Sequence, residues 1–347
     1  MRAITVKPGE AGSARLDELD DPRRGENDLL VQGVALGVCG TDREIAGGEY
    51  GWPPDGRDRL VLGHESLGRV LEAPAGSAFA AGDLVAGIVR RPDPVPCECC
   101  AVGEWDMCRN GEYTERGIKQ LDGYGAERFT VEEEFAVSLD PALGSAGVLV
   151  EPTSVVAKAW EQIDRIAQRA CTGGRTVLVT GAGPIGLLAA LLAVQRDLDV
   201  HVLDLATSGP KPRLVEALGA TYHAGPVAEH SSSADIVVDA TGAGQVVFDV
   251  MQHTAHNAIV CLTGVSPTGR RISADPGAIN NALVLENHVV FGSVNAARRH
   301  YDQAADALVR ADRSWLESLI TRRVGLDQWH EALERRDDDV KVVVELE

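Results

Sequence analysis

Lysine is almost missing from this sequence. Its 347 residues include only Lys7, Lys119, Lys158, Lys211 and Lys341, against 52 acidic residues, and the formal net charge is −19. A surface that acidic repels phosphate backbones and anionic lipid, which argues against nucleic-acid and membrane partners. Abundant acid with little lysine fits a salt-adapted host and a GC-rich genome equally well. Long apolar runs are missing too. The longest, such as "LLAALLAV" (Leu187 to Val194), are too short to cross a bilayer. The opening "MRAITVKPGE" has no apolar h-region, so no signal peptide is expected and the protein is read as cytoplasmic.

A reducing cytoplasm disfavours disulfides, which bears on the cysteines that are present. There are seven, and four fall within "PCECCAVGEWDMC" (Pro96 to Cys108). The adjacent pair Cys99 and Cys100 makes a strain-free local disulfide a poor reading. Cys97 and Cys100 form a CxxC, but no helical pattern follows it, as a thioredoxin-like motif would need. Metal binding is the better reading.

The length suits two domains, because single cores rarely grow past about 250–300 residues. The first ~150 residues read as short strands ("AITV", "DLLVQGVALGV", "ESLGRVLEA", "DLVAGIV") broken by Gly, Pro and Asp. An irregular segment runs from Arg90 to about Tyr124. Near Pro152 the pattern changes. "SVVAKAWEQIDRIAQRA" (Ser154 to Ala170) has helical spacing, with Ser154 as N-cap candidate. Strands and helices then alternate: "RTVLVT", "PIGLLAALLAVQR", "DVHVLD", "KPRLVEALGA", "ADIVVDATG", "NAIVCLTG" and "HVVFGSV". That order predicts a parallel sheet wrapped by helices. From Asn295 a helix leads into "DVKVVVELE", a last strand expected to rejoin the first domain.

"VLVTGAGPIGLL" carries GxGxxG at Gly181, Gly183 and Gly186, between a strand and a helix that Pro184 opens. The hexamer alone is weak. Here Asp204 comes at the end of the next strand, where a carboxylate accepts from ribose hydroxyls and repels a 2′-phosphate. Gly181 permits the turn, Gly183 lets backbone N–H groups approach a pyrophosphate, and Gly186 lets helix and strand touch. No cation stands among the four residues after Asp204, so NAD is expected over NADP.

Cys39 in "GVCGTDRE", His64 and Glu65 in "LGHESLGRV", and Glu151 in "LVEPTS" also stand out. Each has a plain reading: a small buried hydrophobe, a core histidine, a helix-start carboxylate. As a set, Cys, His and carboxylate from three distant segments suit a zinc with one position left open. Together with the glycine fingerprint, "CGTD", "GHE" and the cysteine cluster, the chain resembles the zinc-dependent medium-chain alcohol dehydrogenases over essentially its whole length. Within that family it looks most like the glucose (aldose) 1-dehydrogenases, through "GVCGTDREI", "VRRP", "ERGI" (Glu115 to Ile118) and "GSVN" (Gly292 to Asn295).

The resemblance implies an α/β protein. Residues 1–153 would form a GroES-like β-rich catalytic domain with a zinc lobe at about 90–124. Residues 154–294 would form a Rossmann doubly wound cofactor domain, and 295–347 would return to the first. It implies a catalytic zinc on Cys39, His64 and Glu151, with Glu65 binding the zinc or its water in some states. Thr41 would hydrogen-bond the reacting hydroxyl. Glu44 stands where many relatives have a relay histidine. Glu115, Glu151 and Asn295 would bind substrate, and Gly181, Gly183, Pro184, Ile185, Gly186, Asp204, Thr241 and Asn295 the cofactor. The family's structural zinc uses C-x2-C-x2-C-x7-C. Counted back from Cys108, this gives Cys100, Cys97 and then Pro94, so the first ligand is replaced and Cys99 or Asp93 is left to supply the fourth. The reaction implied is oxidation of an aldose such as D-glucose at C1 to its lactone, in a homodimer or homotetramer. The alternatives are a zinc polyol or amino-alcohol dehydrogenase, a non-catalytic nicotinamide-binding sensor, and a zinc-free reductase.

Overall fold

The computed structural model describes residues 1–171, 174–266 and 271–347. It divides into two compact units, residues 1–154 with 296–347, and residues 155–295.

The first unit is organised around one long strand, Asp28–Val38, whose residues alternate between buried and half-buried before becoming continuously buried at the end. It lies in a sheet ordered Ala136–Leu139, Leu84–Gly87, Glu65–Glu72, Asp28–Val38, Lys341–Glu345, Ile320–Gly325, with Arg128–Glu132 also paired to it. The register brings distant segments together at one end of this strand. Gly37 stands opposite Glu65 on one side and Val343 on the other, and Val38 stands opposite Val342. The C-terminal strand is therefore a neighbour of the strand that leads into Cys39. The segment after Arg90 is less irregular than its composition suggests. Arg90–Arg91 pairs with Thr114–Arg116, and Gln120–Leu121 completes a small sheet.

The described residues of the second unit hold six strands, all parallel, in the order Thr221–His223, Asp199–Leu203, Thr176–Thr180, Ile236–Asp239, Ile259–Leu262, Val289–Gly292. Parallel pairing demands crossovers, and the helices Pro184–Val194, Pro210–Ala217, Gly244–Gln252 and Pro276–Leu285 lie between the strands. The strand order reverses on either side of Thr176–Thr180, which is where open sheets of this kind bind ligands. Leu178, Val237, Val260 and Val250 form its core.

The helix expected from Ser154 starts earlier, at Val150, and runs to Ala167. Ser154 is inside it, and its hydroxyl donates back to the Glu151 carbonyl at 2.6 Å rather than capping the end. A 3-10 stretch, Pro141–Leu149, feeds directly into the helix, so no extended cap residue is needed. The strand Thr221–His223 was not legible in the sequence. It is three residues long at a sheet edge, too short for a period.

Candidate active site

The strand Asp28–Val38 delivers Cys39 at the mouth of the helix Gly40–Ala46, and His64 and Glu65 sit where the neighbouring strand begins. Donor atoms of Cys39, His64 and Glu65 lie within 4.8 Å of one another, and the Cys39 Sγ is 3.1 Å from His64 Nε2. His64 and Glu65 are buried. Glu151, expected as a ligand, stands beside this group rather than in it. Burial, then the nearby Glu65, pushes its carboxyl up to about 7, against the pull of His64 and Lys341.

Two side chains that sequence reasoning missed hold the set in place. Asp42 is buried, its Oδ1 is 3.3 Å from His64 Nδ1, and its Oδ2 accepts from the Cys39 backbone N–H at 2.9 Å. The carboxylate thus turns Nε2 of His64 toward the cysteine, as outer partners of metal-bound histidines do. Burial alone would lower the His64 pKa, but the charges of Cys39 and Asp42 outweigh it and hold the ring well above the ordinary histidine range. Lys341 is the second. It is 1% exposed, its Nζ contacts Glu65 Oε2, and it also donates to the Val38 carbonyl at 3.3 Å. Gly37 makes room for this pair, since a Cβ there would fall 2.0 Å from Glu65 Oε2 and 2.9 Å from Lys341 Cε.

The donor chemistry fits zinc. A sulfur, an imidazole nitrogen and carboxylate oxygens from separate segments converge in a buried site. Asp42 and Glu151 add two more carboxylates beside the Cys39, His64 and Glu65 donors, a setting that favours a divalent cation. Thr41 lies in the first turn of the helix that starts after Cys39 and is half-buried, while Glu44 is exposed on its outer side.

Glu115 is buried in the strand Thr114–Arg116. Its Oε1 already accepts from Arg90 Nε at 3.0 Å and Nη2 at 2.9 Å, and the guanidinium stacks 3.7 Å above the Tyr113 ring. No local pattern signals this pairing, because the partners are 25 residues apart.

In the lobe, donor atoms of Cys97, Cys100 and Cys108 lie within 4.8 Å of one another, and Cys99 is outside that group. The reason is helical geometry. Cys97 caps the short turn Glu98–Ala101, so Cys100 comes round to the same side three residues later while Cys99 points away. Asp93 is buried, with Oδ1 accepting from Val95 N–H at 2.7 Å and Oδ2 without a hydrogen-bond partner.

The glycine turn of the second unit has the expected constraints. Gly181 has φ +94°, and a Cβ on Gly186 would fall 1.8 Å from the Gly181 carbonyl oxygen. Around Gly183 a Cβ would meet nothing within 4 Å. Pro184 and Ile185 form the first turn of the helix Pro184–Val194. Thr241 lies against Gly181, its hydroxyl donating to Asp239 Oδ1 at 2.6 Å. Asn295 adopts φ +62° at the end of the unit. Asp204 accepts from Ala182 N–H at 2.7 Å and from Ala206 N–H at 3.1 Å. Lys211, seven residues on, reaches the same carboxylate at 3.1 and 3.2 Å. The cation absent from the four residues after Asp204 is supplied by the fold from the next helix. Burial raises the Asp204 pKa, but these donors outweigh it and hold the acid below its ordinary range.

Known proteins resemble this chain from end to end. The family described as "Alcohol dehydrogenase GroES-like domain" matches residues 25–141, and "Glucose dehydrogenase C-terminus" matches residues 144–346. The glucose 1-dehydrogenase of Methanocella arvoryzae is 41% identical, over 100% of this chain and 99% of that protein. The glucose 1-dehydrogenase of Thermoproteus tenax is 37% identical over 100% of both. The structure of Haloferax mediterranei glucose dehydrogenase in complex with NADP, Zn and gluconolactone is similar with a TM-score of 0.91 at 31% identity, covering 99% of each chain.

Proposed function

The chain belongs to the glucose dehydrogenase family, with the GroES-like domain of the alcohol dehydrogenases at its N-terminal end, and on that premise we propose that it oxidises the anomeric C1 hydroxyl of an aldose such as D-glucose to the lactone, with zinc at the Cys39 site and a nicotinamide dinucleotide as hydride acceptor. The observation that carries this reading is the convergence of Cys39, His64 and Glu65 on one point, with Asp42 and Lys341 behind them. Zinc in that site acts as a Lewis acid that lowers the pKa of a bound hydroxyl.

The rest of the work falls to the chain's own residues. Cys39 and His64 would hold the ion, Glu151 beside them would move in as the third ligand, and Glu65, already grouped with them, is kept close by Lys341. Asp42 fixes the ring of His64, which keeps Nε2 turned inward. Thr41 orients the sugar hydroxyl and passes its proton toward solvent, where Glu44 is exposed at the outer end of the same helix. Glu115 accepts from sugar hydroxyls while Arg90 prevents its side chain from turning away. Asn295 contributes to both sugar and cofactor. Gly181, Gly183, Pro184, Ile185, Gly186 and Thr241 bind the dinucleotide.

NAD is the proposed preference over NADP, on the carboxylate of Asp204. Lys211 on that carboxylate weakens the preference, because an ammonium there can meet a 2′-phosphate. In the lobe, Cys97, Cys100 and Cys108 are proposed to hold a second, structural zinc, with the unpartnered Oδ2 of Asp93 as the fourth ligand. The protein is read as a cytoplasmic homodimer or homotetramer, with the edge strand Val289–Gly292 as the pairing edge.

The test is a set of initial rates on D-glucose, D-galactose, D-xylose, sorbitol, threonine and ethanol, each with NAD and with NADP. A cyclic aldose should have the highest kcat/KM. If sorbitol or threonine leads every aldose, the polyol or amino-alcohol alternative takes its place.

A further inference from the structure

Aromatic residues make up only 4% of the chain: five Trp, five Tyr and five Phe. Among the described residues just two of them are exposed, Tyr50 at 42% and Trp52 at 46%. They are together. Their ring centroids are 5.0 Å apart with planes at 74°, an edge-to-face pair. Two large rings left in water cost free energy unless something covers them.

The place where they lie is fixed from both sides. Trp52 N–H donates to the Ile118 carbonyl at 2.9 Å, and Gln120 N–H donates to the Trp52 carbonyl at 3.0 Å. That ties the pair to the turn of chain just after Glu115. On the other side, "GGEYGW" continues directly from the helix Gly40–Ala46, which begins after Cys39 and carries Thr41. Glu44, on that helix, and Glu115, Arg90 and Tyr113 are all close enough to act on the Tyr50 hydroxyl. After burial itself, Glu115 is the strongest influence raising its pKa. The two exposed rings therefore lie in the unit that carries the Cys39 site, with Trp52 bonded to the turn that follows Glu115 and Tyr50 packed edge to face on Trp52.

That combination matches the chemistry of a sugar ring. A pyranose carries hydroxyls around its rim and clusters of axial C–H bonds on its faces. Carboxylates and guanidinium groups recognise the rim, and the face of an indole or phenol recognises the C–H cluster while its polar tip stays available for a hydrogen bond. We propose that Tyr50 and Trp52 form the platform against which the C–H face of the aldose rests, beside the carboxylate of Glu115. The inference rests on the proposed aldose activity and adds the means of telling a ring from an open chain. An extended polyol such as sorbitol offers the same hydroxyls but no rigid C–H face, so it gains little from the platform.

The experiment is steady-state kinetics of the zinc-loaded enzyme carrying Trp52→Ala, Tyr50→Ala or the conservative Trp52→Phe, with thermal unfolding of each. Trp52→Ala should raise KM for the aldose about tenfold, the scale expected for uncovering one ring face. Its kcat should stay within about twofold and KM for the nicotinamide cofactor should not move. Trp52→Phe should recover most of the loss. The preference for aldose over sorbitol should shrink in both alanine variants. KM for the aldose within about twofold of wild type in both overturns the proposal. So does a fall in Tm accompanied by equal losses for sugar, sorbitol and cofactor, since that marks the pair as support for the lobe. Failure of the underlying aldose activity looks different: the wild-type enzyme itself would then favour sorbitol or threonine over every aldose.

Discussion

Lys341 is one of five lysines in the chain, and it is fully buried against Glu65. A lone charge inside the apolar run "VKVVV" (Val340 to Val344) was the signal for it. Breaking a buried ion pair by removing one partner costs about 3–5 kcal/mol. Lys341→Met should therefore lower the Tm of zinc-depleted protein more than that of zinc-loaded protein, because the metal offers Glu65 another cation. Equal losses in the two forms, by calorimetry, would show that the lysine does not act through this carboxylate. Cys39→Ala should remove nearly all turnover while leaving circular dichroism and cofactor binding intact, because losing a Lewis acid costs several kcal/mol of barrier at ~1.4 kcal/mol per tenfold. Retention of more than about a tenth of the activity would place the chemistry elsewhere. Lys211→Ala should lower kcat/KM with NADP relative to NAD by about tenfold, the scale of one charge-assisted hydrogen bond. An unchanged ratio means Lys211 never meets the 2′ position.

At the scale of elements, the strand Arg128–Glu132 ends in a carboxylate that ties three segments together. Glu132 Oε2 lies 2.6 Å from Arg91 Nη2 and 3.4 Å from Arg116 Nη2. Partial burial raises its pKa, but Arg91 and then Arg116 outweigh that and bring it down to about 2. A depressed carboxylate adds stability above its ordinary value of 4.5, and that stability is lost as pH falls toward about 2. Glu132→Gln should lower Tm at pH 7 and narrow its distance from wild type by pH 3. A constant difference across that range would count against the pairing. The helix Gly40–Ala46 is held from its outer side too, by Arg43 donating to the Ala332 and Leu333 carbonyls of the C-terminal return. This places the helix that carries Thr41 under the control of residues nearly 300 positions away.

At the scale of the whole molecule, the two metal sites should be countable. Zinc-replete protein should contain about two zincs per chain, and Cys108→Ser should remove one of them and lower Tm without changing KM for the sugar. A stable preparation with one zinc, indifferent to Cys108→Ser, would show that the lobe manages without metal. No helix among the described residues is long and apolar enough to cross a membrane, which agrees with the absence of long apolar runs.

Features that depend on local pattern could be read from the chain unaided. The period-2 run of Asp28–Val38, the strand–glycine–helix order around Gly181, and the resemblance carried by "CGTD", "GHE" and "GSVN" are each a matter of neighbours in sequence. The cysteine spacing also narrowed the lobe to two choices for its odd ligand. Contacts between residues far apart in the chain had to wait for the folded molecule. Folding set Lys341 beside Glu65, Asp42 behind His64, Arg90 on Glu115 and Lys211 on Asp204. It turned Cys99 away from Cys97, Cys100 and Cys108, and it left Tyr50 and Trp52 in water. The physical reason is common to all of these. A buried charge needs a partner within a few ångströms, strand register and helix phase choose which one arrives, and neither quantity is written at any single position.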